Sequence, residues 1–106
     1  MSRPTAAADA AVAPLQGLLG ALGDPVRLEM VRRLMAAGTP QPCVRLYDSV
    51  GKSTASHHFK LLRETGIIER HVVGGQVHLA LRIEALDAAY PGVVRSIVAA
   101  AEAQRA

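Results

Sequence analysis

The chain is poor in the residues that would tie it to several common functions. It holds one cysteine, Cys43, in 106 residues, so no disulfide can close within it and the fold does not call for an oxidising compartment. Tryptophan is absent, and Tyr47, Phe59 and Tyr90 are the only aromatic residues, too few for the stacking platforms that grip single-stranded nucleic acid. No run approaches the roughly 20 apolar residues of a membrane span. Residues 1–13 are rich in alanine, yet they carry Asp9 and lack the long apolar centre of a signal peptide. No Ser, His and acid combination stands in a recognisable catalytic setting, so neither an enzyme nor a cofactor is expected. These absences lead to the expectation of a cytoplasmic, non-enzymatic protein with a disordered segment over 1–13 and one folded domain over 14–106.

The charged residues do not decide a partner by themselves. Twelve Lys and Arg against nine Asp and Glu give a net charge of +3, which suits a polyanion without requiring one. A domain of this length also gains from burying further surface in a dimer.

Hydrophobic spacing and punctuation then give the order of elements. Pro14 suits a first helical turn, and Leu15, Leu18, Leu19 and Leu22 recur at helical spacing before Gly23. Asp24 caps a second helix with Pro25 at its first position, and Val26, Leu28, Val31, Leu34 and Met35 alternate with charged residues up to Gly38. Thr39-Pro40-Gln41-Pro42 cannot extend a helix and is expected as a connector. A short helix is expected next, with Val44, Leu46, Tyr47 and Val50 on its apolar side, then a turn at Gly51 and a longer helix from Lys52 to Thr65. Strand-like runs on either side of Gly74-Gly75 predict a hairpin in which Val73 faces Gln76 and His71 faces His78. After Arg82 the pattern is helical again, with Pro91 at the start of a last helix carrying Val93, Val94, Ile97, Val98 and Ala101.

Helix, turn, helix and a two-stranded wing is a geometry that lays one polar helix face into the DNA major groove. On the second helix Ala55, Phe59 and Leu62 fall at i, i+4 and i+7 and should pack inward, which turns Lys52, Ser53, Thr54, Ser56, His57 and Lys60 outward. Hydroxyls donate or accept at base edges, His57 can donate to a purine acceptor, and the two lysines can meet guanine edges or phosphates. His58 sits at the edge of the buried face, where a structural or phosphate-contact role is favoured over base reading. Arg70 and Gln76 are expected to track phosphates from the wing. His71 and His78 form only half of a metal site, so no metal is expected there. Cys43, just before a short helix and near Arg45, is either a redox-sensitive thiol or a small buried hydrophobe.

The segment Asp24-Pro25 with Arg27, followed by Ser56-His57-His58-Phe59-Lys60-Leu61-Leu62-Arg63-Glu64-Thr65-Gly66-Ile67-Ile68, resembles the ArsR-type winged-helix repressors over residues 15–90. The resemblance implies a mainly α (α+β) winged helix-turn-helix fold with N- and C-terminal dimerisation helices. It also implies a homodimeric repressor that leaves a palindromic double-stranded operator when a chemical signal arrives. Leu15, Leu18, Leu19 and Leu22, with Val94, Ile97 and Val98, are the expected dimer residues. The chain departs from the metal-sensing members, since Cys43 is followed by Val44 and Arg45 rather than a second cysteine, and residues 83–106 contain no histidine. The signal therefore stays open between thiol oxidation at Cys43 and a small organic ligand held between the terminal helices and the reader domain. The rival reading is a winged-helix protein-interaction module that does not bind DNA.

Overall fold

The computed structural model describes residues 10–105. Helix α1 (Leu15–Leu22) leads directly into α2 (Pro25–Ala37) through Gly23 and Asp24. The Asp24 carboxylate accepts the backbone N–H groups of Val26 and Arg27, each at 2.9 Å, and Gly38 closes α2 in the left-handed region at φ 71°. The reader helix α3 (Lys52–Glu64) follows, then strands β2 (Ile68–Val73) and β3 (Gln76–Leu81). The hairpin has the expected register: Val73 faces Gln76 and His71 faces His78. Gly74 and Gly75 take φ 57° and 79°, the paired positive values of a two-residue turn whose twist matches the strands.

Two local expectations are corrected. In place of a short α-helix around Val44 to Val50 there is a single 3₁₀ turn, Cys43–Arg45, and irregular chain up to Gly51. A helix confined between Pro42 and Gly51 is too short to repay its nucleation, and Asp48 and Ser49 compete for backbone hydrogen bonds inside it. Leu46 is nonetheless buried, and Tyr47 meets Phe59 edge-on with ring centroids 6.0 Å apart. The connector before this turn contains strand β1 (Gln41–Pro42), which pairs antiparallel with β3 and makes the sheet three-stranded in the order β1-β3-β2. Proline is tolerated there because β1 is an edge strand. The C-terminal region divides into α4 (Ile83–Ala89) and α5 (Val93–Arg105) about Tyr90-Pro91-Gly92, where Pro91 cannot continue α4 and Gly92 turns at φ 76°.

One core gathers Leu18 and Leu22 of α1, Met30, Val31 and Leu34 of α2, Phe59 and Leu62 of α3, Leu79 of β3, Leu86 of α4, and Val94 and Val98 of α5. This reassigns four expected dimer residues: Leu18, Leu22, Val94 and Val98 are at most 5% exposed within a single chain, so their apolar surface is already covered. Leu15 and Leu19 are 40% and 45% exposed, and Ile97 is half-buried. Of the segment expected to be disordered, residues 1–9 lie outside the described residues. Ala10 to Ala13 run without regular structure, with the Ala13 N–H donating to Thr65 at 3.0 Å and the Tyr90 hydroxyl donating to the Ala13 carbonyl at 2.9 Å.

Candidate nucleic-acid interface

Helix α3 presents two unlike faces. Ala55, Phe59 and Leu62 are buried, whereas Lys52, Ser53, Thr54, Ser56, His57 and Lys60 are all exposed. The 3.6-residue repeat of the helix produces this division, since the three apolar residues share one side. Gly51 caps α3 without a side-chain bond, so the first-turn N–H groups are open to solvent or to an anionic oxygen. Neither Lys52 nor Lys60 forms an ion pair among the described residues, and both ammonium groups are free to meet phosphate or a base edge.

His58 turns away from that face. Its side chain is 12% exposed, and its Nδ1 lies 3.0 Å from Arg27 Nη1. Guanidinium only donates, so Nδ1 is the acceptor and the imidazole proton is on Nε2. Arg27 also donates through Nε to the Ala21 carbonyl at 2.7 Å, fastening the end of α1, the start of α2 and the middle of α3 to one another. Asp24 Oδ2 stands 3.9 Å from the same ring nitrogen. The backbone N–H of Arg27 is the largest influence holding the Asp24 carboxyl below its ordinary range; burial opposes it, and the charge of Arg27 adds to it. The sequence motif Asp24-Pro25-x-Arg27 is thus a brace for the reader helix. Its Arg27 was not singled out as functional from sequence, because its partner is 31 positions away.

The wing residues do not converge. Strand register places Arg70 opposite Leu79, on the sheet face that also carries Ile68 and Val72, while Gln76 opposite Val73 is on the other face with His71 and His78. Arg70 is half-buried and Gln76 is fully at the tip, beside exposed Val72, Val73 and Val77. His71 and His78 are cross-strand neighbours, but His71 Nε2 is bonded to Glu69, and the His78 Nδ1 is buried without a partner among the described residues. No group of three or more His, Cys, Asp or Glu residues is placed to hold a metal ion among the described residues. Cys43 opens the 3₁₀ turn, half-buried against the core.

A helix-turn-helix domain family matches residues 22–71, from the end of α1 to the middle of β2. The uncharacterized HTH-type transcriptional regulator YceK of Bacillus subtilis (strain 168) is 30% identical over 79 residues, which cover 73% of this chain and 79% of that one. The transcriptional repressor BigR from Xylella fastidiosa superposes with a TM-score of 0.60 at 27% identity, covering 78% of this chain and 81% of that one. An ArsR family transcriptional regulator of known crystal structure gives a TM-score of 0.61 at 24% identity over 77% of this chain and 90% of that one, a likeness of fold.

Proposed function

The chain belongs to the helix-turn-helix transcriptional regulators, and we propose that it is an ArsR-type homodimeric repressor that reads a palindromic operator and is released from it by a chemical signal. The family regulates transcription and is not a family of enzymes. The observation that carries the DNA reading is α3, with six polar or basic side chains exposed on one face and its opposite face locked into the core beside a wing. In a two-fold dimer the two copies of α3 would stand about 34 Å apart, one turn of duplex. Lys52, Ser53, Thr54, Ser56 and His57 then meet base edges, while Lys60, Arg70 and Gln76 meet the phosphate backbone. His58 acts through the position of α3 rather than through contact with DNA. Of the expected dimer residues, exposed Leu15 and Leu19 and half-buried Ile97 keep apolar surface for a second copy. The protein acts in the cytoplasm; no described helix is long and apolar enough to cross a membrane.

Two release routes follow: oxidation of the Cys43 thiol, and a small organic ligand. Binding of genomic duplex fragments by the purified full chain, repeated with reductant, with peroxide and at several salt concentrations, tests both the function and the route. An inverted repeat is expected to be enriched, with affinity falling steeply as salt rises because phosphate neutralisation releases counterions. Loss of binding in peroxide that Cys43→Ser prevents would assign the signal to the thiol. Absence of any enriched duplex would overturn the DNA reading and leave the protein-interaction module.

A further inference from the structure

A cavity of about 430 Å³, open to solvent on one side, lies between the end of α2, the base of the wing and the start of α4. Its volume is in the range of small-molecule sites, and its floor is apolar, formed by Leu34 and Met35 of α2, Leu81 of β3 and Ile83 of α4. The polar wall is lopsided in charge. Arg82 is already engaged: its Nη1 donates to the carbonyls of Ala10 at 2.6 Å and Gly66 at 2.9 Å, and its Nε stands 3.4 Å from Glu69. Its charge is met by Glu69, which an anionic ligand would have to displace or repel. Glu84, exposed on the same wall, has no ion-pair partner among the described residues. Glu69 is bonded to His71, which shares the wall, and is approached by Arg82, so Glu84 is the carboxylate of the cavity left without a cation among the described residues.

We propose that this cavity binds a small hydrophobic organic cation, an aromatic or alkyl amine, and that its occupancy weakens the hold on DNA. The apolar body lies on Leu34, Met35 and Ile83, and the ammonium sits between Glu69 and Glu84. The second half of the proposal rests on the repressor reading; the binding site does not. The link to DNA runs through Arg82. A cation beside Glu69 competes with His71 and Arg82 for that carboxylate, and Arg82 also holds Gly66, the residue that joins the reader helix to the wing. A ligand able to bias that joint shifts the population of the DNA-competent arrangement in proportion to its preference between the two states.

The test uses the full chain with 2-naphthylmethylammonium as probe, and 2-naphthylacetate and 2-naphthylmethanol as its anionic and neutral counterparts. Methyl NMR spectra locate binding, and fluorescence anisotropy with an enriched duplex reads coupling. The ammonium probe is expected to shift the methyl signals of Leu34, Met35 and Ile83, to bind about tenfold tighter than the carboxylate, and to lower duplex affinity about tenfold. Glu84→Gln, at an exposed position that should not disturb folding, removes most of the preference for the cation, and Ala85→Phe, which fills the cavity, removes binding. Equal binding of all three probes, shifts confined to other methyls, or cavity methyls silent to every probe overturns the site. Binding as expected with unchanged duplex affinity overturns the regulatory half and upholds the site. A chain that binds no duplex at all overturns the repressor reading, while the methyl shifts still decide the cavity.

Discussion

His57 and His58 are adjacent in the chain but their side chains lie in different surroundings, the first in solvent and the second against Arg27. Their substitutions should separate accordingly. His58→Ala leaves a partly buried guanidinium nitrogen without its acceptor and is expected to lower unfolding free energy by about 1–2 kcal/mol, since a bond from a charged donor is lost and the site is only partly hydrated. His57→Ala should leave the urea midpoint unchanged and relax base preference by about 1–3 kcal/mol at one operator position. Urea titration and duplex competition on both variants check this, and equal destabilisation by the two would contradict the division of roles. The exposure of His57 followed from helical spacing alone. The Arg27 bond did not, because residues so far apart in sequence are brought together only by the packing of α2 against α3.

Among the elements, the joint between α3 and β2 is the most constrained. Gly66 has φ 76°, and a Cβ there would stand 2.5 Å from the Ala11 carbonyl oxygen, so the Ala10 to Ala13 segment crosses the joint at a distance that only glycine permits. Gly74 at the wing tip has φ 57° with nothing within 4 Å of a Cβ, so alanine there meets backbone strain alone. Gly74→Ala is expected to cost about 1 kcal/mol, and Gly66→Ala about 2–3 kcal/mol, because the clash adds to the strain. Thermal unfolding of both variants measures the difference, and an equal loss would mean that the crossing segment yields freely. From sequence, Gly66 was legible only as a helix stop, because the segment that crosses it begins more than fifty positions earlier. The long amphipathic helices and the hairpin register were legible, since each follows from a local period or a two-residue turn. Strand β1 and the 3₁₀ turn were not, because two residues carry no period and Gln41 and Pro42 become a strand only by pairing with β3.

At the scale of the whole molecule, Glu29 on α2 is the point where distant parts of the chain meet. Its carboxylate bonds Arg32 and Arg33, each at 2.7 Å, and stands 3.5 Å from Arg105 at the end of α5. Arg32 continues to Glu102 at 2.9 Å, and Arg33 to Asp48 in the chain before α3 at 3.0 Å. The hydrogen bond from Arg32 is the largest cause holding the Glu29 carboxyl down to about 2 from its ordinary 4.5; partial burial opposes it and Arg33 reinforces it. Because the folded carboxyl is the stronger acid, the unfolded chain takes up a proton first as pH falls. The network's contribution is therefore complete above about pH 4.5 and is lost progressively toward pH 2. Asp24, also held below its ordinary range, adds to the same acid-side loss. Solvent around the outer partners Glu102 and Arg105, which are 49% and 55% exposed, reduces the effect, and a loss of roughly 1–2 kcal/mol over that interval is expected. Glu29→Gln should lower stability at neutral pH and flatten the decline between pH 4.5 and pH 2, leaving mainly the part due to Asp24. Urea midpoints at half-unit pH steps on wild type and variant give the measurement. Parallel curves would show that the arginines around Glu29 are held by solvent as well as by the carboxylate. In that case the ties between α2, α5 and the chain before α3 would rest on the apolar core alone.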